Sequence, residues 1–130
     1  MIDDVAYGFF RLDGKRAPFD FRPGYEYRAV LVEDESMNEL FGSGDFVVLA
    51  LPREGSLYPR PGDIVAVQIL NHASEPVPQT TLKEYRPLDN QQIELRPRST
   101  HSEKYHSRTW SESNVRVRAI AVGKLKRLMD

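Results

Sequence analysis

The chain has 130 residues, 40% of them hydrophobic and 28% charged, with a formal charge of −1 and no cysteine. That length suits one domain around one core and is too short for two ordinary ones. The near-neutral charge argues against a self-sufficient DNA-binding surface, which needs a basic excess, and the lack of thiols excludes disulfides and thiolate zinc sites within the chain.

No apolar run approaches the roughly 20 residues needed to span a bilayer. The N-terminal "MIDDVAYGFFRLDG" carries acids where a secretory leader carries basic residues. A cytoplasmic protein with no membrane partner is therefore expected. Prolines and glycines punctuate short apolar runs, with no internal repeat and no sustained helical period, which predicts a mostly β domain. Residues 1–24 resist assignment. "YEYRAVLV" (Tyr25 to Val32) reads as a strand that becomes buried toward its end, and "SMNELF" (Ser36 to Phe41) as a single helical turn. "DFVVLAL" (Asp45 to Leu51) and "DIVAVQIL" (Asp63 to Leu70) are dense in Val, Ile and Leu and read as core strands joined by a Pro- and Gly-rich connection. "TTLKEYRPL" (Thr80 to Leu88) and "QIELRPR" (Gln92 to Arg98) flank "DNQ", a tight hairpin. The polar stretch from Ser99 to Asn114 reads as a loop. In "VRVRAIAVGKLKRL" (Val115 to Leu128), alternation sets Arg116 and Arg118 on one face and Val115, Val117 and Ala119 on the other. The expected core contains Val47, Leu49, Ile64, Val65, Val67, Leu82 and Val122.

Few residues suggest chemistry. His72, His101 and His106 lie in polar segments with nothing to aim them together, so they read as solvated and no metal or cofactor is expected. The basic tail residues Lys124, Lys126 and Arg127 read as the solvated face of a strand, where charge also discourages edge association. "GSGD" lacks the lysine and helix of a phosphate-binding loop. Ser36 and Lys83 stand apart. A serine hydroxyl is a poor nucleophile until a base takes its proton, and no histidine is well placed to do so. A lysine serves if its amine is neutral, a form that burial favours. Lys83 falls in a predicted strand near three apolar ones, and a lysine within a core strand is costly unless used. On residue chemistry alone a serine–lysine dyad is one reading among several.

The order of motifs adds a further reading. "VEDESM", "GDFVVL", "RPGDIVAV", "TTLKEY", "IELRP" and "AVGKLKR" together resemble the LexA-like S24 peptidase family, over about residues 25 to 128. The resemblance places Ser36 on the nucleophile, with Met37 as its usual neighbour. It places Lys83 on the general base, two residues after Thr81 in a T-x-K pattern. It implies a LexA/signal-peptidase-like compact β domain with a short helical turn, spanning residues 25–130 after the unassigned 1–24. The implied function is that of the C-terminal dimerisation and self-cleavage domain of a transcriptional regulator like LexA or a phage repressor. The implied partners are a second copy of the chain, docked through the region Val115 to Leu128 by a sheet edge or flat face, and an activating recombinase filament. DNA would be contacted only through an N-terminal domain missing from this chain. A stand-alone accessory protein like UmuD, with a polymerase as partner, and a non-proteolytic binding module of the same fold are the alternatives.

The chain departs from the family pattern at three places. Asp34 stands where glycine is usual, and Glu33 to Glu35 would disfavour a neutral lysine nearby. A polar insertion, Asn71 to Gln79, lengthens the loop before the lysine strand. No Ala-Gly or Cys-Gly cleavage pair occurs, "VAYGFF" (Val5 to Phe10) being the nearest approximation. The expected cleavage site therefore lies outside the chain, or the domain does not cleave itself.

Overall fold

A computed structural model describes residues 7–33, 35–55, 57–70 and 80–128. These form eight strands: β1 (Tyr7–Phe10), β2 (Tyr25–Leu31), β3 (Phe46–Pro52), β4 (Ile64–Ile69), β5 (Thr80–Leu88), β6 (Gln92–Arg96), β7 (Arg108–Ser111) and β8 (Val115–Arg127). All belong to one antiparallel sheet of order β2-β3-β8-β4-β5-β6-β7, with β1 also on β8. A 3-10 turn at Glu112–Asn114 is the only helical element among the described residues. The fold is mostly β, as composition and punctuation indicate.

The two core strands start in the same way. Asp45 accepts a hydrogen bond from Gly42 N (2.8 Å) on its carboxylate and donates its own amide to Gly42 O (3.0 Å). Asp63 repeats this with Arg60, at 2.8 and 3.0 Å. The residue before each aspartate, Gly44 or Gly62, has φ +90°, which a side chain resists. The repeated Gly-Asp pair is thus a turn device that aims β3 and β4 into the core. At the β5–β6 hairpin, Asn90 and Gln91 adopt φ of 63° and 59°, left-handed conformations that match the strands' twist.

β4 is buried on both faces, which accounts for its unbroken apolar sequence. Ile64 and Ala66 join Val32, Met37, Phe41, Val47 and Leu49 on one side. Val65 and Val67 join Ile93 and Leu95 on the other. Leu82 is half-buried against the first cluster. Val122 is only half-buried, because the β3–β8 register passes from Gly123 directly to Ala121 and leaves it in a bulge.

Four sequence expectations need correction. β2 is largely exposed, including Val30 (46%) and Leu31 (47%), and only Val32 beyond its end is buried. Among the described residues it ends the sheet and has β3 alone beside it. The unassigned N-terminal segment supplies β1, which pairs with residues 124–127 of β8. A Cβ on Gly123 would lie 2.5 Å from Phe10 O and the Phe9 ring, so this close approach requires glycine. The polar stretch from Ser99 contains β7, whose Trp110 packs on the second cluster. Finally, β8 leaves little free edge: it runs through the middle of the sheet and pairs with β1, β3 and β4.

Candidate active site

Ser36 opens a single turn. Leu40 N and Phe41 N both donate to Met37 O, at 3.0 and 2.9 Å. Met37 and Phe41, four residues apart and so on one side of the turn, are 2% and 0% exposed and anchor it in the first core cluster. Residues 98–101 strap the turn from outside. Glu39 N donates to Arg98 O (2.9 Å), Asn38 and Thr100 exchange two hydrogen bonds (2.8 and 2.9 Å), and His101 Nε2 lies 2.7 Å from Glu35 Oε2.

Lys124 secures the turn's far end by donating to Leu40 O at 2.6 Å. Burial lowers its pKa, partly opposed by Asp45 and aided by Lys126. The tail is therefore not uniformly a solvated face: Lys126 and Arg127 are exposed, whereas Lys124 is half-buried and caps the Leu40 carbonyl of the serine turn.

Lys83 lies opposite Val65 in the β4–β5 register, on the face of the second core cluster. Its Nζ contacts Ser36 Oγ at 3.4 Å, Thr81 Oγ1 at 3.0 Å and Leu82 O at 3.0 Å. Ser36 itself lines a cleft with Ala66 and Leu82, which belong to the opposite face. β6 explains how the two meet. It pairs with β5 only from Glu84 onward, so Thr80 to Lys83 has no described strand on that side. The lysine arm passes across this open stretch, held by a carbonyl of its own strand and by the threonine two residues earlier. The T-x-K spacing is physical: positions two apart share a strand face, so Thr81 stands beside the amine.

The cleft has a volume of about 390 Å³, and Val30, Leu31, Glu33 and Leu82 are among its walls. Ser36 is only 3% exposed at its base. On the lysine side lies a second hollow of about 250 Å³, walled by Lys104, Tyr105, His106, Arg108 and Trp110, and Thr81 borders both. Of the expected flanking acids, Glu33 and Glu35 are exposed and Glu35 faces His101, while Asp34 is outside the described residues. His72 and the insertion Asn71 to Gln79 are also outside them. His101 and His106 are not brought together on a common acceptor: one faces Glu35 and the other lines the second hollow.

Sequence reasoning missed Glu84. It is 2% exposed, on the same face as Leu82 and opposite Ile64. Burial alone would raise its pKa, but hydrogen bonds and charge from Arg86 and Arg98 outweigh this and lower it. A readable signal existed: an acid on the same strand face as Leu82, two residues before Arg86. The depressed pKa has a sign. Ionised Glu84 contributes stability that is fully present above the ordinary 4.5 and is lost as pH falls through the lowered folded value. Glu84→Gln should therefore lower the thermal midpoint at neutral pH and flatten its decline in acid. Thermal unfolding at neutral pH and below pH 4.5 checks this; equal acid dependence in both proteins would remove Glu84 from that role.

The chain matches no protein-family model and no curated protein. The functional reading consequently rests on the residues and their geometry.

Proposed function

We propose that this chain is a serine–lysine peptidase domain of the LexA-like kind, with Ser36 as nucleophile and Lys83 as general base. The observation that carries the reading is the 3.4 Å contact between Lys83 Nζ and Ser36 Oγ at the base of an apolar cleft. That distance is long for a hydrogen bond, as catalytic contacts often are before substrate tightens them.

Neutral Lys83 takes the Ser36 proton as the oxygen attacks a peptide carbonyl, and the resulting ammonium gives a proton to the leaving amine. Thr81 Oγ1 and Leu82 O aim the amine throughout. Met37 N–H, directly after the nucleophile, has no acceptor among the described residues and is the donor we assign to the developing oxyanion. Among the described residues β2 ends the sheet beside the cleft, so an extended peptide can add to its outer edge and set side chains against Val30 and Leu31.

Tyr7 to Gly24 do not line the cleft, since β1 is on β8 and Phe19 and Phe21 stack against Tyr27. The scissile bond comes from another segment or another molecule. Within the family we assign the dimerising, self-cleaving domain of a repressor-like regulator, with DNA bound by a separate domain. The charge of −1 supports that division of labour. Dimerisation would use a sheet face, given the position of β8, and sedimentation at micromolar concentration tests it: a strict monomer refutes it for this domain. The non-proteolytic module is the second reading, favoured by a serine only 3% exposed. Incubating the longest form of the protein from neutral to alkaline pH, with fragments followed by mass, decides between them. Cleavage that accelerates with pH is expected; an intact chain at every pH favours the binding module.

A further inference from the structure

We propose that Arg98 is a positioning residue for the dyad, fixing the turn that carries Ser36 against the strand that carries Lys83. The inference rests on the serine–lysine reading above, but its test does not require peptide cleavage. Arg98 follows the end of β6, where the chain leaves the sheet and crosses over the serine turn. Its backbone grips the turn twice, through N–H to Met37 Sδ (3.2 Å) and through C=O from Glu39 N (2.9 Å). Its guanidinium then reaches in two directions. Nε donates to Glu39 Oε1 at 3.1 Å, three residues after the nucleophile, and Nη1 donates to Glu84 Oε1 at 3.0 Å, one residue after the base.

The two carboxylates differ in setting: the Glu39 side chain is 40% exposed and that of Glu84 is 3% exposed. Glu84 is thus a fixed point in β5, and Arg98 ties the more exposed Glu39 of the serine turn to it. A planar guanidinium can hold two carboxylates at once in fixed geometry, whereas an ammonium on a flexible stem cannot do so equivalently. The link matters because the Nζ–Oγ contact, at 3.4 Å, is already at the limit of hydrogen bonding. A small slip of the turn away from β5 would break it.

The chain's lack of cysteine supplies a probe. Ser36→Cys installs a single thiol at the nucleophile position, and the pH midpoint of its alkylation by iodoacetamide reports the nearby charge. With the Lys83 ammonium in place, that midpoint should lie below the roughly 8.5 of a free thiol. Adding Lys83→Met should raise it by about one pH unit. Adding Arg98→Ala instead should raise it by a comparable amount, whereas Arg98→Ala on top of Lys83→Met should add little. Arg98→Lys separates geometry from charge: it keeps the cation, so a shift near that of Arg98→Ala indicates positioning. Glu33, which lines the cleft with Ser36, and the adjoining Glu35–His101 pair are common to all the variants. If Arg98→Ala does not fold, Glu39→Gln breaks only the exposed arm. Loss of its negative charge alone would lower the midpoint, whereas a displaced Lys83 would raise it.

Equal Arg98 shifts with and without Lys83, or no shift in Arg98→Lys and Glu39→Gln, would overturn the proposal. Coupling between Arg98 and Lys83 in a protein that cleaves no peptide would uphold the positioning role and reject the peptidase reading instead.

Discussion

Ser36→Ala and Lys83→Met should each reduce serine-dependent peptide cleavage by roughly three to six orders of magnitude, the range seen when one member of a catalytic unit is removed. The double substitution should lose little more than either single one, because the two groups act in one step. Among the described residues, Lys83 is the titratable base whose side chain contacts Ser36 Oγ. Lys83→Arg should be as inactive as Lys83→Met: its guanidinium keeps the charge but does not release a proton at any usable pH. Quantifying cleaved and intact chain by mass spectrometry across neutral to alkaline pH measures all four variants. Cleavage that survives in Ser36→Ala would assign the chemistry to other residues.

The second large effect is on stability. Phe41→Ala should cost about 3–5 kcal/mol, the usual range for removing a fully buried phenyl ring and leaving a cavity. Native domains have only about 5–15 kcal/mol to lose, so the variant will be marginal. Phe41 is 0% exposed and, with Met37, is the apolar foot of the serine turn. Its loss should therefore loosen the turn as well as the core. Urea unfolding gives the free energy directly. Phe21→Ala is the contrast, since that ring is 73% exposed and most of its area already meets water. Similar costs for both substitutions would contradict the assigned core.

The strongly apolar parts of this fold were legible because their burial is two-sided. Val47, Ile64, Val65 and Val67 occur in runs that no exposed strand tolerates, and all are buried. β2 was misread because Val30 and Leu31 look like core residues but serve an edge strand beside a cleft. β1 and β7 were missed because each has four residues and is held by a pairing its own sequence does not show: β1 with the far end of β8, and β7 with β6 across residues 97–107. Local composition cannot report such a partner. At the site, Ser36 and Lys83 were legible by residue type and motif order, and the structure brings them into contact. The strap around them was not legible: Arg98 and Lys124 look like ordinary surface cations until the turn they hold is placed beneath them.

In the proposed chemistry Lys83 activates Ser36. The most direct measurement of this is the rate at which a serine-reactive fluorophosphonate modifies the protein as a function of pH, with the adduct located by peptide mapping. One adduct is expected, on Ser36, with a rate that climbs as pH rises and loses that climb in Lys83→Met. No adduct on Ser36 at any pH, or labelling of Lys83→Met at the rate of the unmodified sequence, would contradict it.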